Sequence, residues 1–181
     1  MIDPKDVTII IPHLGANEQQ EYAYNECAKS LMETCDSPIL VAHNGNLGNC
    51  THGHNIDVLE QGQCRATNAA VATTNTPWIF VTNDDMIYAP GWWERLTSPE
   101  WVISTDSKPI MCMSPQLVEP RPGAPTFLVE FCGGAGGDFD KNKWLNYVKN
   151  HKELYPERKP TRTGFNLPFL IKRELWDTIG G

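Results

Sequence analysis

Asn83, Asp84 and Asp85, three side chains suited to holding a cation or a hydroxyl, follow the apolar run Trp78 to Val81 after a single Thr82 and precede Pro90-Gly91-Trp92-Trp93. A run that is apolar at both alternating positions reads as a strand buried on both sides, as in a parallel sheet covered by helices. In open α/β sheets ligands bind at the carboxyl ends of the strands, so these three residues stand where a ligand arrives. Hard carboxylate oxygens suit Mg2+ or Mn2+ and, through the ion, a diphosphate. Successive side chains of an extended segment point to opposite faces, so Asn83 and Asp85 share one side and Asp84 takes the other. Asp85 is then the candidate metal ligand, and Asn83 or Asp84 the candidate partner of a ribose or sugar hydroxyl. The competing reading is a plain Asn-Asp-Asp turn closing a strand, since all three residue types favour turns.

Such a site needs a sheet to hold it, and 181 residues suffice for one domain with an ordinary core. A net charge of −7 and a pI near 5.2 argue against a nucleic-acid surface, which demands clustered Lys and Arg. A phosphate ligand would therefore need a metal or a few local cations. The N-terminal MIDPKDVTIIIP has no cleavage-type segment and no later stretch reaches the length of a membrane span, so a soluble cytoplasmic protein is expected. The six cysteines, scattered and without a secretion signal, are expected to be reduced thiols. Cys50-Thr51-His52-Gly53-His54, with His43 before it, offers soft and imidazole ligands, but its spacing is poor for structural zinc and a solvated loop is the expected reading.

Val7 to Ile11, closed by Pro12, reads as a buried first strand. A helix follows from Asn17 to Cys35, capped by Asn17 or a neighbour and carrying Tyr24, Cys27, Ala28 and Leu31 as its apolar stripe. Pro38 to Ala42 reads as a second strand ended by the turn-forming His43-Asn44-Gly45-Asn46. A loop from Leu47 to Gly62 leads to a helix from Gln63 to Thr73, which places Arg65 and Asn68 one turn apart on a shared side. Beyond Trp93 the expected elements are strands at Ile110 to Met113, Phe127 to Phe131 and Leu167 to Ile171, with helices at Lys141 to Lys152 and Arg173 to Ile179. The first half alternates strand and helix; the second reads as a mixed sheet with insertions.

In this order VTIIIP, ILVAHNGN, GQCRATNAAV and WIFVTNDDMIYAPGWWERL resemble the nucleotide-sugar-binding half of family 2 glycosyltransferases, and TGFNLPFLIKRELWDTIGG is similar to the strand and helix that follow the acceptor region in that family. The resemblance implies a GT-A fold: a Rossmann-like α/β sandwich around a mixed, mostly parallel sheet. One domain is expected, with residues 1–98 binding the donor and residues 99–181 facing the acceptor. The implied activity is metal-dependent transfer of a sugar, with inversion, from a nucleotide diphosphate to a hydroxyl of a glycan, lipid or protein. Asn83-Asp84-Asp85 matches the family's Asp-x-Asp motif, which implies Asp85 as the Mn2+ or Mg2+ ligand and Asn83 as a ribose or metal contact. Pro12, His13 and Leu14 match the loop that contacts the nucleobase, and Arg65 with Asn68 the helix facing base and ribose; Arg65 also suits phosphate.

Three departures narrow what the resemblance implies. Asn83 adds no charge where the family carries an Asp, so Asp84 is a candidate to share its task. His43-Asn44 replaces the Asp that reads the base edge, which leaves UDP- and GDP-linked donors both open. The Asp that acts as general base beyond the final Gly-Gly has no counterpart before Gly181, so either the sequence is cut inside the domain, the preferred expectation, or Asp138 or Asp140 serves. Gly133 to Gly137 reads as an acceptor-side connection rather than a phosphate cradle, Trp92, Trp93, Trp144 and Tyr147 as core or sugar-stacking candidates, and Lys152 to Arg162 as a lid-like loop. Two other readings stand beside the transferase: a catalytically degenerate nucleotide-sugar or glycan-binding module, and a nucleotidyltransferase, which would normally carry a cation in the loop after the first strand.

Overall fold

The structure, a computed structural model, describes residues 1–44, 52–58, 62–98, 111–115, 118–119, 128–130, 132–133, 138–154 and 167–181. Their strands are β1 (Val7–His13), β2 (Ile39–Asn44), β3 (His54–Val58), β4 (Trp78–Val81), β5 (Cys112–Met113), β6 (Val118–Glu119), β7 (Leu128–Val129) and β8 (Phe169–Lys172). The helices are α1 (Glu18–Thr34), α2 (Gln63–Ala72), α3 (Trp92–Leu96), α4 (Lys141–Leu154) and α5 (Arg173–Ile179). A six-stranded sheet runs β3-β2-β1-β4-β8-β5, and β6 and β7 form a separate parallel pair. The pairings β3–β2, β2–β1 and β1–β4 are parallel, whereas β8 runs antiparallel to both β4 and β5. The chain is thus an α/β protein built on a mixed, mostly parallel sheet, as its sequence leads one to expect.

Alternation along the central strands sorts the core into two layers. Val7, Ile9 and Ile11 of β1 join Phe80 of β4, Tyr24, Cys27, Ala28 and Leu31 of α1, and Trp93 of α3. Ile10, Ile79 and Val81 point the other way, against Ala66, Ala70 and Val71 of α2 and Leu175 and Trp176 of α5. Both faces of β1 and β4 are covered, which is why their sequences read as continuous apolar runs. Trp92 packs on Phe80 and Tyr88 at centroid distances of 5.0 and 4.6 Å and donates its indole N–H to Thr34 Oγ1 at 2.8 Å, so both tryptophans of the pair serve packing.

β1 continues through Pro12 to His13 instead of closing at Ile11. Proline in a central strand normally costs a ladder hydrogen bond. Here Ile9 donates its N–H to Pro38 on the β2 side, while the Ile10 carbonyl accepts from Thr82 on the β4 side. The alternating Pro12 nitrogen therefore faces the β4 side, where the paired register ends at Ile10↔Val81, while the pairing with β2 continues through Pro12 and His13. His43 and Asn44 likewise belong to β2 rather than to a turn, in register with His13 and Val58 respectively.

The expected loop before α2 contains β3, which adds to the sheet edge in parallel with β2. Only Ile56 and Val58 are partly buried, so the strand is specified more by pairing than by apolar content. Gly53, at φ +81°, brings the chain onto β2; a Cβ there would stand 3.0 Å from Val41 Cγ2 and 3.1 Å from Ile39 Cγ2. Cys27, Cys35, Cys64, Cys112 and Cys132 are free thiols, and Cys50 lies outside the described residues. Also outside them are 134–137 of the glycine run and 155–162 of the lid-like segment. No helix among the described residues is long and apolar enough to cross a membrane.

Candidate functional site

Parallel strands β1, β2 and β4 end on the same side of the sheet, and the cleft of about 280 Å³ beyond their carboxyl ends is lined by Pro12, Leu14, Asn44, Asn83, Asp84 and Asp85. Gln20 of α1 and Gln63 of α2 complete the wall. Past Val81 the chain leaves strand geometry and turns at Asp84 and Asp85. The expected alternation, with Asp84 on the opposite side from Asn83 and Asp85, therefore does not hold: all three reach one cleft.

The turn is held from below. Thr82 Oγ1 meets the Tyr88 hydroxyl at 2.6 Å, Tyr88 N–H donates to Ser30 Oγ at 3.1 Å, and the Cys27 thiol donates to the Asn83 carbonyl at 3.5 Å. Burial pushes the Cys27 thiol and the Tyr88 phenol far up, so both stay neutral. Across the cleft Gln63 Nε2 donates to Asn83 Oδ1 at 2.9 Å, and Asn44 Oδ1 accepts from the Gly62 N–H at 2.6 Å. Two carboxamides thus fasten the start of α2 to the ends of β2 and β4.

Asp85 opens along the cleft, yet its carboxyl is crowded on the protein side: burial, and then the Asp84 charge, raise it above the ordinary carboxylate range. No Lys or Arg among the described residues pairs with it, and none lines the cleft. A negative site with no Lys or Arg among its described lining residues is matched to an incoming cation. The described residues gather no group of three or more His, Cys, Asp or Glu able to hold a metal. That excludes a closed all-protein cage from the described part but not Mg2+- or Mn2+-type binding, which needs only one or two carboxylates together with substrate phosphates. The donor set Asp84, Asp85 and Asn83 fits that mode, although Asn83 Oδ1 already accepts from Gln63.

Asp84 has a protein partner. His13 Nδ1 lies 2.7 Å from Asp84 Oδ2, and His13 Nε2 lies 3.3 Å from Glu21 Oε1. The imidazole is wholly buried, tilted against the Tyr24 ring at a centroid distance of 4.6 Å and edge-on to His43 at 6.1 Å. The expected contact between His13 and a nucleobase is therefore replaced: Pro12 and Leu14 face the cleft while the His13 side chain turns under it.

Other expected residues fall elsewhere. His43 is 3% exposed, with Nε2 3.1 Å from Asn55 Oδ1 and Nδ1 buried without a hydrogen bond; its neighbour Asn44 is the cleft residue. Arg65 and Asn68 are exposed on α2 outside the cleft lining, Asn68 against Gly181, and the residue of α2 that reaches the cleft is Gln63. Asp138 is exposed, and Asp140 caps α4, accepting from the Lys143 N–H at 2.9 Å. Neither lines the cleft, because the element they begin is used for capping rather than delivered to the strand ends. Gln20, Glu21 and Gln63 were not singled out by the sequence. Gln20 stands three residues after the Asn17 cap, a spacing that signals capping, and its Oε1 does accept from the Ala16 N–H at 2.8 Å.

No protein-family model and no curated protein matches the sequence. Among solved structures the chain is similar to glucosyl-3-phosphoglycerate synthase from Mycobacterium tuberculosis. One crystal structure of that enzyme, in complex with Mn2+, uridine diphosphate and phosphoglyceric acid, is 13% identical at a TM-score of 0.47, covering 93% of this chain and 56% of that one. Another, without a named ligand, is 12% identical at 0.48, covering 93% and 57%. A third, with Mg2+ and uridine diphosphate, is 12% identical at 0.43, covering 93% and 57%. The chain spans a little over half the length of these structures.

Proposed function

We propose that this chain binds a nucleotide-diphosphate sugar, UDP- or GDP-linked, through Mn2+ or Mg2+ and transfers the sugar to a hydroxyl acceptor on a glycan, lipid or protein. The observation that carries the reading is the meeting of Asp84 and Asp85 with Pro12, Leu14 and Asn44 in one cleft at the carboxyl ends of adjacent parallel strands. A site with two carboxylates and no Lys or Arg among its described lining residues suits a diphosphate as its cation complex. Asp85, with Asn83, would hold the ion, and Asp84 would accept from a ribose or sugar hydroxyl. When bound, the ion would supply Lewis-acid neutralisation of the leaving diphosphate. Leu14 and Pro12 offer an apolar wall for a base, while Asn44, Gln20 and Gln63 offer amide groups for its edge or for sugar hydroxyls. The whole chain is read as one domain, residues 1–98 serving the donor and residues 99–181 the acceptor, in keeping with β8 pairing directly with β4.

The test is calorimetry with UDP, GDP and their sugars, with and without Mn2+. Metal-dependent binding is expected, and Asp85→Ala is expected to abolish it while the far-UV spectrum is kept; unchanged nucleotide affinity in that variant counts against the reading. A second reading, a module that binds donor without turning it over, is favoured by one feature: among the described residues no carboxylate beyond Asp84 and Asp85 lines the cleft to act as base. Product detection across a panel of hydroxyl acceptors separates the two, transfer supporting the enzyme and its absence despite binding supporting the module.

A further inference from the structure

The Glu21–His13–Asp84 chain joins α1, β1 and the turn after β4 at the edge of the apolar core, where the His13 ring rests on Tyr24. An ionised carboxylate only accepts, so the His13 nitrogen facing Asp84 donates, and its 2.7 Å separation is that of a charge-assisted bond. The opposite nitrogen faces Glu21 at 3.3 Å, which fixes the ring plane from the first turn of α1. Backbone closes over this second contact. Gly15 sits at φ +59°, which favours glycine, and a Cβ there would stand 2.7 Å from Glu21 Oε1 and 3.1 Å from His13 Nε2, so a side chain at this position would push the Glu21 carboxylate away. Asp84 Oδ2 is thereby occupied, whereas Oδ1 takes no hydrogen bond from the described residues and belongs to a residue lining the cleft.

We infer that His13 is a positioning residue: by holding one oxygen of Asp84 it fixes the carboxylate so that the other meets the ligand in a single orientation. The inference rests on the proposed donor site in identifying that ligand as a nucleotide, whose ribose or sugar hydroxyl is the natural donor to Oδ1. It assigns the two acidic residues different tasks, Asp84 a directional hydrogen-bond acceptor oriented from beneath and Asp85 the charge that meets the cation. A carboxylate locked in one rotamer binds without first losing rotational freedom, and that gain is what the support contributes.

Two isosteric substitutions divide the ring into its halves. Asn places an amide N–H where Nδ1 stands and so keeps the link to Asp84, whereas Gln places one where Nε2 stands and keeps only the link to Glu21. Calorimetry with UDP and Mn2+ is expected to show His13→Asn within about threefold of the parent, and His13→Gln weaker by roughly tenfold or more, the scale of a lost charge-assisted hydrogen bond. Equal losses in the two variants would overturn the inference, since a merely structural histidine is indifferent to which nitrogen is replaced. A measurement on the unaltered ring covers the case in which neither variant folds: in a protein labelled with 15N-histidine, a slowly exchanging, downfield ring N–H signal is expected that Asp84→Ala removes and Glu21→Ala does not. No Asp84-dependent signal would overturn the inference. Should the parent bind neither UDP nor GDP with Mn2+, the donor-site reading fails on its own, and the ring signal still decides whether His13 holds Asp84.

Discussion

Burial and the adjacent Asp84 charge both raise the Asp85 carboxyl, so the folded chain holds a negative charge that no described Lys or Arg neutralises. A carboxyl raised on folding favours the folded state while it is protonated, below its unfolded value, and loses that advantage as pH climbs through the raised folded value. At neutral pH the ionised Asp85 therefore works against stability. Asp85→Asn is expected to leave stability unchanged or to raise it, by on the order of 0.5 kcal/mol after solvent screening, while removing Mn2+-dependent nucleotide binding. Thermal melts beside calorimetry check this, and a variant that loses both stability and binding would mark Asp85 as a structural residue. For the same reason, Mn2+-dependent affinity is expected to fall as pH drops, with a midpoint above the ordinary carboxylate range; a midpoint at or below that range would contradict the crowded setting. Asp84 and Asp85 could be singled out from sequence because strand and carboxylates are contiguous. The role of His13 could not, because its partner Asp84 lies 71 positions away and only the register of β1 beside β4 brings the two together.

At the scale of elements, α1 matters most to the site, since it supplies Glu21, the Tyr24 ring against His13 and the Cys27 thiol under Asn83. Its start is fixed by Asn17, whose side chain accepts from the Gln20 N–H at 3.0 Å. Asn17→Ala is expected to cost about 1 kcal/mol in urea unfolding, the usual loss for an N-cap, with nucleotide affinity falling less than in His13→Gln because the helix is retained. Gly15→Ala meets both a left-handed φ and the Glu21 oxygen, and is expected to destabilise by about 1 kcal/mol or more; a neutral result would mean the loop relaxes away from the His13–Glu21 contact. α1, α2, β4 and α5 were legible because each carries its period and its cap or turn signal locally. β3 was not, as His54-Asn55-Ile56-Asp57-Val58 offers two apolar residues and depends on β2 for its hydrogen bonds. β2 also runs further than its apolar residues, because His43 is paired on both sides by β1 and β3 and Asn44 on one side by β3, against their own preference for a turn.

Taken whole, the molecule carries a net charge of −7 and concentrates two carboxylates, with no lining Lys or Arg among the described residues, in the cleft assigned to a phosphate ligand. A nucleotide diphosphate approaching without metal meets like charge both at long range and in the site. Screening acts on the long-range part: the Debye length shrinks from about 10 Å at 0.1 M salt to about 3 Å at 1 M. In the presence of chelator, UDP binding is therefore expected to be weak and to strengthen, or at least hold, as salt rises from about 0.05 to 0.5 M, opposite in sign to a site that grips phosphate with Lys or Arg. Adding Mn2+ reverses the local charge, and the gain should exceed roughly a hundredfold, since the cation supplies what the wall lacks. Titrations at several salt concentrations, with and without chelator, read both effects. Affinity that falls with salt in chelator would place protein cations on the ligand and remove the reason for assigning Asp85 to a metal, because the diphosphate would then already have its counter-charge.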